Sequence, residues 1–118
     1  MLDSFAAYQM RARGTAKYPR NLPGIGMLYC ALGLAEESGE VAGKLKKWIR
    51  DDGTDFENEH MSNERRELIF KEMGDALWYL TNLAIEMDSS LAQIAQWNLD
   101  KVEDRRARGV THGSGDNR

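Results

Sequence analysis

The chain has little of what builds disulfide scaffolds, sheets or membrane spans. Cys30 is its only cysteine among 118 residues, so an intrachain disulfide and a Cys-x-x-Cys metal site are excluded. That usage fits a reducing, cytoplasmic compartment. Only two prolines occur, Pro19 and Pro23, and runs of β-branched residues are absent. There is no basic surplus: 16 Lys and Arg stand against 19 Asp and Glu, a formal net charge of −3. This argues against a partner that is polymeric nucleic acid, whose binders usually carry excess positive charge. No apolar stretch approaches the roughly 20 residues needed to cross a bilayer, so no membrane partner is expected. The opening MLDSFAAYQM lacks a basic start followed by an apolar run and is not expected to act as a signal peptide.

What remains is helix-forming. Ala, Leu, Glu, Met, Lys and Arg dominate, which is an all-α composition. We expect one domain over residues 1–118 with four helices. The first runs from about Leu2 to Arg13, followed by a loop holding Tyr18, Pro19, Pro23, Gly24 and Gly26. The second runs from about Met27 to Arg50. A polar stretch, DDGTDFENEHMS, then breaks the pattern as a mobile loop. The third starts after Ser62, a suitable N-cap, and ends near Met87. Ser90 and Gln93 match a capping box that opens the fourth, which ends near Arg108 with Gly109 as its terminator. Residues 109–118 form a glycine-rich tail.

The second helix crowds Glu36, Glu37 and Glu40 into five residues. Like charges at this spacing repel by a few tenths of a kcal/mol each, about 0.2–0.5. At roughly 100° per residue, Leu28, Leu34, Ala35, Val41, Ala42, Leu45 and Ile49 form a broad apolar face. Glu37 sits at its border, beside Val41 and Trp48. Gly39 and Gly43 cost about 1 kcal/mol each relative to Ala, which predicts a close helix approach there. On the third helix, KEMGDALWYL places Glu72 and Asp75 on one face. The apolar stripe there is Ile69, Met73, Ala76, Leu80, Leu83 and Met87, and Glu72 falls inside it. An unpaired buried carboxylate is expensive, so a basic side chain or a metal ion is implied.

An isolated E-x-x-E on a helix is most often a solvated face. Two such pairs on two amphipathic helices are rarer, and antiparallel packing would bring four carboxylates together. Two unit charges 4 Å apart repel by roughly 4 kcal/mol at an effective dielectric of 20. Such a cluster needs cations, and oxygen-only ligands favour Mg²⁺, with Mn²⁺ as a substitute.

These residues resemble the MazG-type all-α nucleoside triphosphate pyrophosphohydrolases, relatives of dCTP pyrophosphatase and the dimeric dUTPases. The resemblance rests on Glu37-S-G-Glu40, then Glu72-M-G-Asp75, then Asn98, Lys101 and Arg105, and on the ending RGVTHGSGDNR. The stretch between the motifs, residues 41–71, is somewhat longer than usual, and the excess falls in the polar loop. The resemblance implies a four-helix MazG-like bundle assembled as a homodimer or a dimer of dimers. It also implies hydrolysis of an NTP or dNTP to the monophosphate and pyrophosphate. In that scheme Glu37, Glu40, Glu72 and Asp75 bind the metal, Asn98 hydrogen-bonds a phosphate or a metal-bound water, and Lys101 and Arg105 bind substrate phosphates; the alternative for these two is a solvated helix end, where cations are favoured anyway. Glu36 is the candidate to orient or deprotonate the attacking water; the alternative is a plain surface acid. Lys44 is a further substrate-binding candidate, although an i,i+4 pair with Glu40 explains it equally well.

Other features weigh less. Trp48, Trp78 and Trp97 are more often core than base-stacking at such positions. Tyr18 and Tyr29 are base-pocket candidates by location. Glu57 and His60 spell E-x-x-H, but a di-iron bundle needs two copies on helices. A non-catalytic helical module that binds nucleotides or a basic partner is the competing reading.

Overall fold

A computed structural model describes residues 1–53, 58 and 60–117. Among them four helices and no strand are formed. These are α1 (Phe5–Gly14), α2 (Ile25–Asp51), α3 (Asn63–Glu86) and α4 (Leu91–Ala107). All four expected helices are present, with ends within a few residues of expectation. Glu57, and with it the E-x-x-H motif, lies outside the described residues, as do residues 54–56 and 59 of the polar loop.

Local chemistry sets the helix ends. Ser4, Ser62 and Ser90 cap α1, α3 and α4, each hydroxyl accepting from the backbone N–H three residues on at 3.1–3.2 Å. An N-cap of this kind contributes about 1 kcal/mol. Gly24 starts α2 with φ at +75°, a conformation that favours glycine. Between α3 and α4 the chain turns through Asp88, a non-glycine residue at φ +57°. Gly109, at φ +71°, ends α4 as expected.

The main packing is α2 against α3. Lys44 pairs with Glu72, Gly33 lies against Tyr79, and Gly26 lies against Glu86. These partners run in opposite directions along the two helices, so the pair is antiparallel. The seam takes Gly26, Cys30, Gly33, Glu37 and Trp48 from α2, a stripe of helical period. Trp48 and Ile69 are both buried, and burial of each such side chain stabilises the pair by about 1.5–3 kcal/mol. α1 lies across α3 and the start of α4. It is tied there by Trp78 Nε1 donating to Thr15 Oγ1 at 2.8 Å and Leu91 N–H donating to Gln9 Oε1 at 2.8 Å.

Two packing expectations are corrected. The glycines that admit a close neighbour are Gly26 and Gly33. A Cβ on Gly26 would stand 2.9 Å from the Glu86 carboxyl carbon, and one on Gly33 would enter the Tyr79 ring. Gly39 and Gly43 have nothing within 4 Å of that position. The apolar face assigned to α2 is likewise largely open, with Leu28, Ala35, Ala42, Leu45 and Ile49 exposed. The cause is width: α2 is apolar over more of its circumference than the single helix α3 covers.

The same surplus appears elsewhere. Met73 and Met87 of α3 are exposed, and Trp97 of α4 is 61% exposed. α4 packs on α1 and α3, and among the described residues it makes no contact with α2. The radius of gyration is 17.5 Å, against about 13–14 Å for a compact chain of this length.

Candidate metal centre

Halfway along the α2–α3 seam the apolar packing gives way to acids. Glu37, on the inward stripe of α2, meets Glu72 and Asp75, which are one turn apart on α3. One carboxylate oxygen from each lies within 4.8 Å of the others. Glu37 and Glu72 are half-buried and Asp75 is exposed, so the group opens to solvent on one side. Burial first, and then the negative charges of Asp75, Glu72 and Glu36, hold the Glu37 carboxyl above the usual glutamate range. The only cation paired into this group among the described residues is Lys44, whose Nζ lies 3.1 Å from Glu72. Lys44 therefore reaches across to α3 and does not pair with Glu40.

Three carboxylates on two rigid helices offer hard oxygen ligands that could hold a divalent metal. Glu40, one turn beyond Glu37, is exposed and stands outside the group of three. Glu36 is exposed beside Glu37, and its charge and that of Glu37 help to keep the Tyr79 phenol protonated, after burial and the neighbouring Tyr29. Tyr8 of α1 borders the other side; burial and then Asp75 raise its phenol.

The family model for the MazG nucleotide pyrophosphohydrolase domain matches residues 27–110 of this chain. The chain belongs to that family. The MazG match takes in nearly all of α2 and the whole of α3 and α4, and so contains every acid of the group. α1 and the loop with Tyr18 precede it. The Gene 37 protein of Mycobacterium phage L5 is 42% identical over 115 residues, which cover 94% of this chain and 96% of that one. No solved structure matches.

Within this MazG chain, Asn98, Lys101 and Arg105 do not join the acids. All three stand on α4, which is out of contact with α2. Asn98 and Lys101 are exposed. Lys101 and Arg105 are instead paired with Asp116, with N–O separations of 3.5 and 3.2 Å.

A second acid site escaped the sequence reading. Glu86, on the same face of α3 as Glu72 and Asp75, accepts from Arg13 Nη1 at 3.0 Å and from the Tyr18 hydroxyl, and Arg20 Nε lies at 3.4 Å. The Tyr18 hydrogen bond, followed by the two arginines, holds the Glu86 carboxyl below the usual glutamate range. Tyr18 stacks on Tyr29 at 5.5 Å, and Tyr29 meets Tyr79 at 6.3 Å. An aromatic wall thus runs from Glu86 to the acid group. The available signal was the heptad register of Gly26 with Gly33 and of Glu72 with Tyr79 and Glu86.

Proposed function

We propose that this protein hydrolyses the α–β anhydride bond of a nucleoside triphosphate, giving the monophosphate and pyrophosphate, with Mg²⁺ as the metal. The observation that carries this reading is the convergence of Glu37, Glu72 and Asp75, three acids with one lysine among them, inside a MazG-family chain. Such a group is electrostatically incomplete without a cation. When bound, the metal supplies neutralisation of the triphosphate and of the charge that develops on the leaving pyrophosphate.

The chain's own residues have separable roles. Glu37, Glu72 and Asp75 hold the metal, and Glu40, exposed one turn on, joins them as a fourth ligand once the site is loaded. Glu36 orients the attacking water and takes its proton. Lys44, held on Glu72, leans toward the phosphates. The Tyr29–Tyr79 edge of the aromatic wall is the side on which a base would lie.

Asn98, Lys101 and Arg105 complete the phosphate contacts from a second copy. Among the described residues of one chain α4 makes no contact with α2, and Leu28, Leu32, Ile49 and Trp97 are left exposed. A homodimer, or a dimer of dimers, covers these side chains and brings one chain's α4 to the other's seam. Light scattering across a size-exclusion peak tests this; a clean monomer of 13.4 kDa would contradict it.

The decisive experiment for the reaction is a panel of ribo- and deoxyribonucleoside triphosphates, assayed for pyrophosphate release with and without Mg²⁺. The expected result is Mg²⁺-dependent release from at least one member, which also identifies the base. Triphosphate binding with no turnover across the panel would favour a non-catalytic nucleotide-binding module instead.

A further inference from the structure

The glycine-rich end of the chain has no place in the chemistry above, yet it is built onto one residue of it. α4 closes with the Val110 N–H donating back to the Arg105 carbonyl at 2.9 Å. Gly113 and Gly115, at φ +130° and +83°, then turn the strip around. Arg105 Nη2 donates to the Asp116 carbonyl at 2.9 Å, to Asp116 Oδ1 at 3.2 Å and to the Gly115 carbonyl at 3.4 Å. Lys101, one turn earlier, places Nζ 3.5 Å from the same Asp116 oxygen. The Arg105 side chain is 9% exposed, whereas that of Asp116 is 85% exposed. Arg105 Nε is buried without any hydrogen-bond partner.

That last atom decides what the cluster is shaped for. The Nε and Nη2 edge of a guanidinium grips an oxyanion with two parallel N–H bonds. The strip satisfies Nη2 and leaves Nε unmatched. A phosphate group, with its larger charge and three oxygens, can engage both nitrogens and the lysine together. The strip itself is lightly held, since residues 111–117 are all exposed. Segments with so little buried contact open readily.

We infer that Asp116 is an internal stand-in for a substrate phosphate: its carboxylate occupies the anion position on Lys101 and Arg105, and a polyphosphate must displace the C-terminal strip to bind there. This rests on the reading that Lys101 and Arg105 meet substrate phosphates. Tethering keeps the carboxylate at high effective concentration, so the strip acts as a built-in competitor that sets apparent affinity.

The test measures binding of inorganic tripolyphosphate by calorimetry with Mg²⁺ chelated, so that turnover plays no part. Asp116→Ala should tighten binding by about threefold, the size that an exposed ion pair supports. The gain should shrink when Lys101→Ala is added and vanish when Arg105→Ala is added to that. If the reaction proposed above holds, Asp116→Ala also lowers KM by a similar factor and leaves kcat unchanged. Unchanged or weaker binding in Asp116→Ala would overturn the inference and make Asp116 a residue that positions Arg105. A gain that persists with both Lys101→Ala and Arg105→Ala would overturn it as well, because the anion would then sit elsewhere. Absence of turnover in the wild type would sink the reaction alone, since the binding comparison reads the strip independently.

Discussion

Two acid sites lie on one helix pair and are treated in opposite ways. At one end of the α2–α3 seam, Glu86 is surrounded by Arg13, Arg20 and the Tyr18 hydroxyl, and Gly26 makes room for its carboxylate. In the middle, Glu37, Glu72 and Asp75 share one lysine. The first site is electrostatically complete; the second carries surplus negative charge, and its Asp75 is exposed. The same residue type thus does two jobs on one face of α3, and the surroundings decide which. A satisfied carboxylate holds the fold together, and a group with surplus negative charge could hold a cation.

The largest expected effect breaks this contrast from the acid side. Glu72→Gln or Asp75→Asn should lower Mg²⁺-dependent pyrophosphate release by about 100-fold or more, because each removes a proposed direct ligand where even indirect supports are worth 10–100-fold. Without metal Asp75→Asn should unfold no earlier than wild type in a thermal melt, since it relieves like-charge repulsion without breaking the Lys44–Glu72 pair. Glu86→Ala should do the reverse. Breaking a partly buried pair by removing one partner costs about 2–3 kcal/mol here, at the low end for such pairs because the Glu86 side chain is 18% exposed. Urea unfolding would read that loss.

A smaller effect should come from Gly33→Ala. The added methyl enters the space of the Tyr79 ring, and overpacking of this kind costs about 1–3 kcal/mol. Gly39→Ala, with open space around it, should be neutral or slightly stabilising in the same unfolding series.

The pH dependence sharpens the contrast further. The folded-state pKa of Glu86 lies below its ordinary value of 4.5. Its contribution is therefore present above that value and is lost as pH falls through the lower, folded-state pKa. A plot of stability against pH should fall in that acid window for wild type and fall less steeply for Glu86→Gln. An equal slope in both would remove Glu86 as the cause.

Much of this was legible in the sequence, and the failures have physical reasons. Helix positions followed from composition and from Ser62, Ser90 and Gly109, because caps are local chemistry. Glu37, Glu72 and Asp75 were legible because two acid pairs at helical spacing imply convergence once the helices pack. The orientation of α2 was not. Its apolar circumference is wider than one partner helix covers, so Leu28 and Ile49 looked like core and are open, while Gly26, Cys30 and Gly33 make the seam. Glu86 was missed because its partners, Arg13, Tyr18 and Arg20, come from a helix and loop more than 60 residues away in the chain. No local pattern in the sequence pairs them.

The most direct test of the central claim is a Mg²⁺ titration followed by thermal unfolding, run on wild type, Glu72→Gln and Glu86→Gln. If the middle of the seam is the metal site, Mg²⁺ raises the Tm of wild type and of Glu86→Gln by the same increment and leaves Glu72→Gln unmoved. An equal rise in all three proteins, or none in wild type, would contradict the assignment.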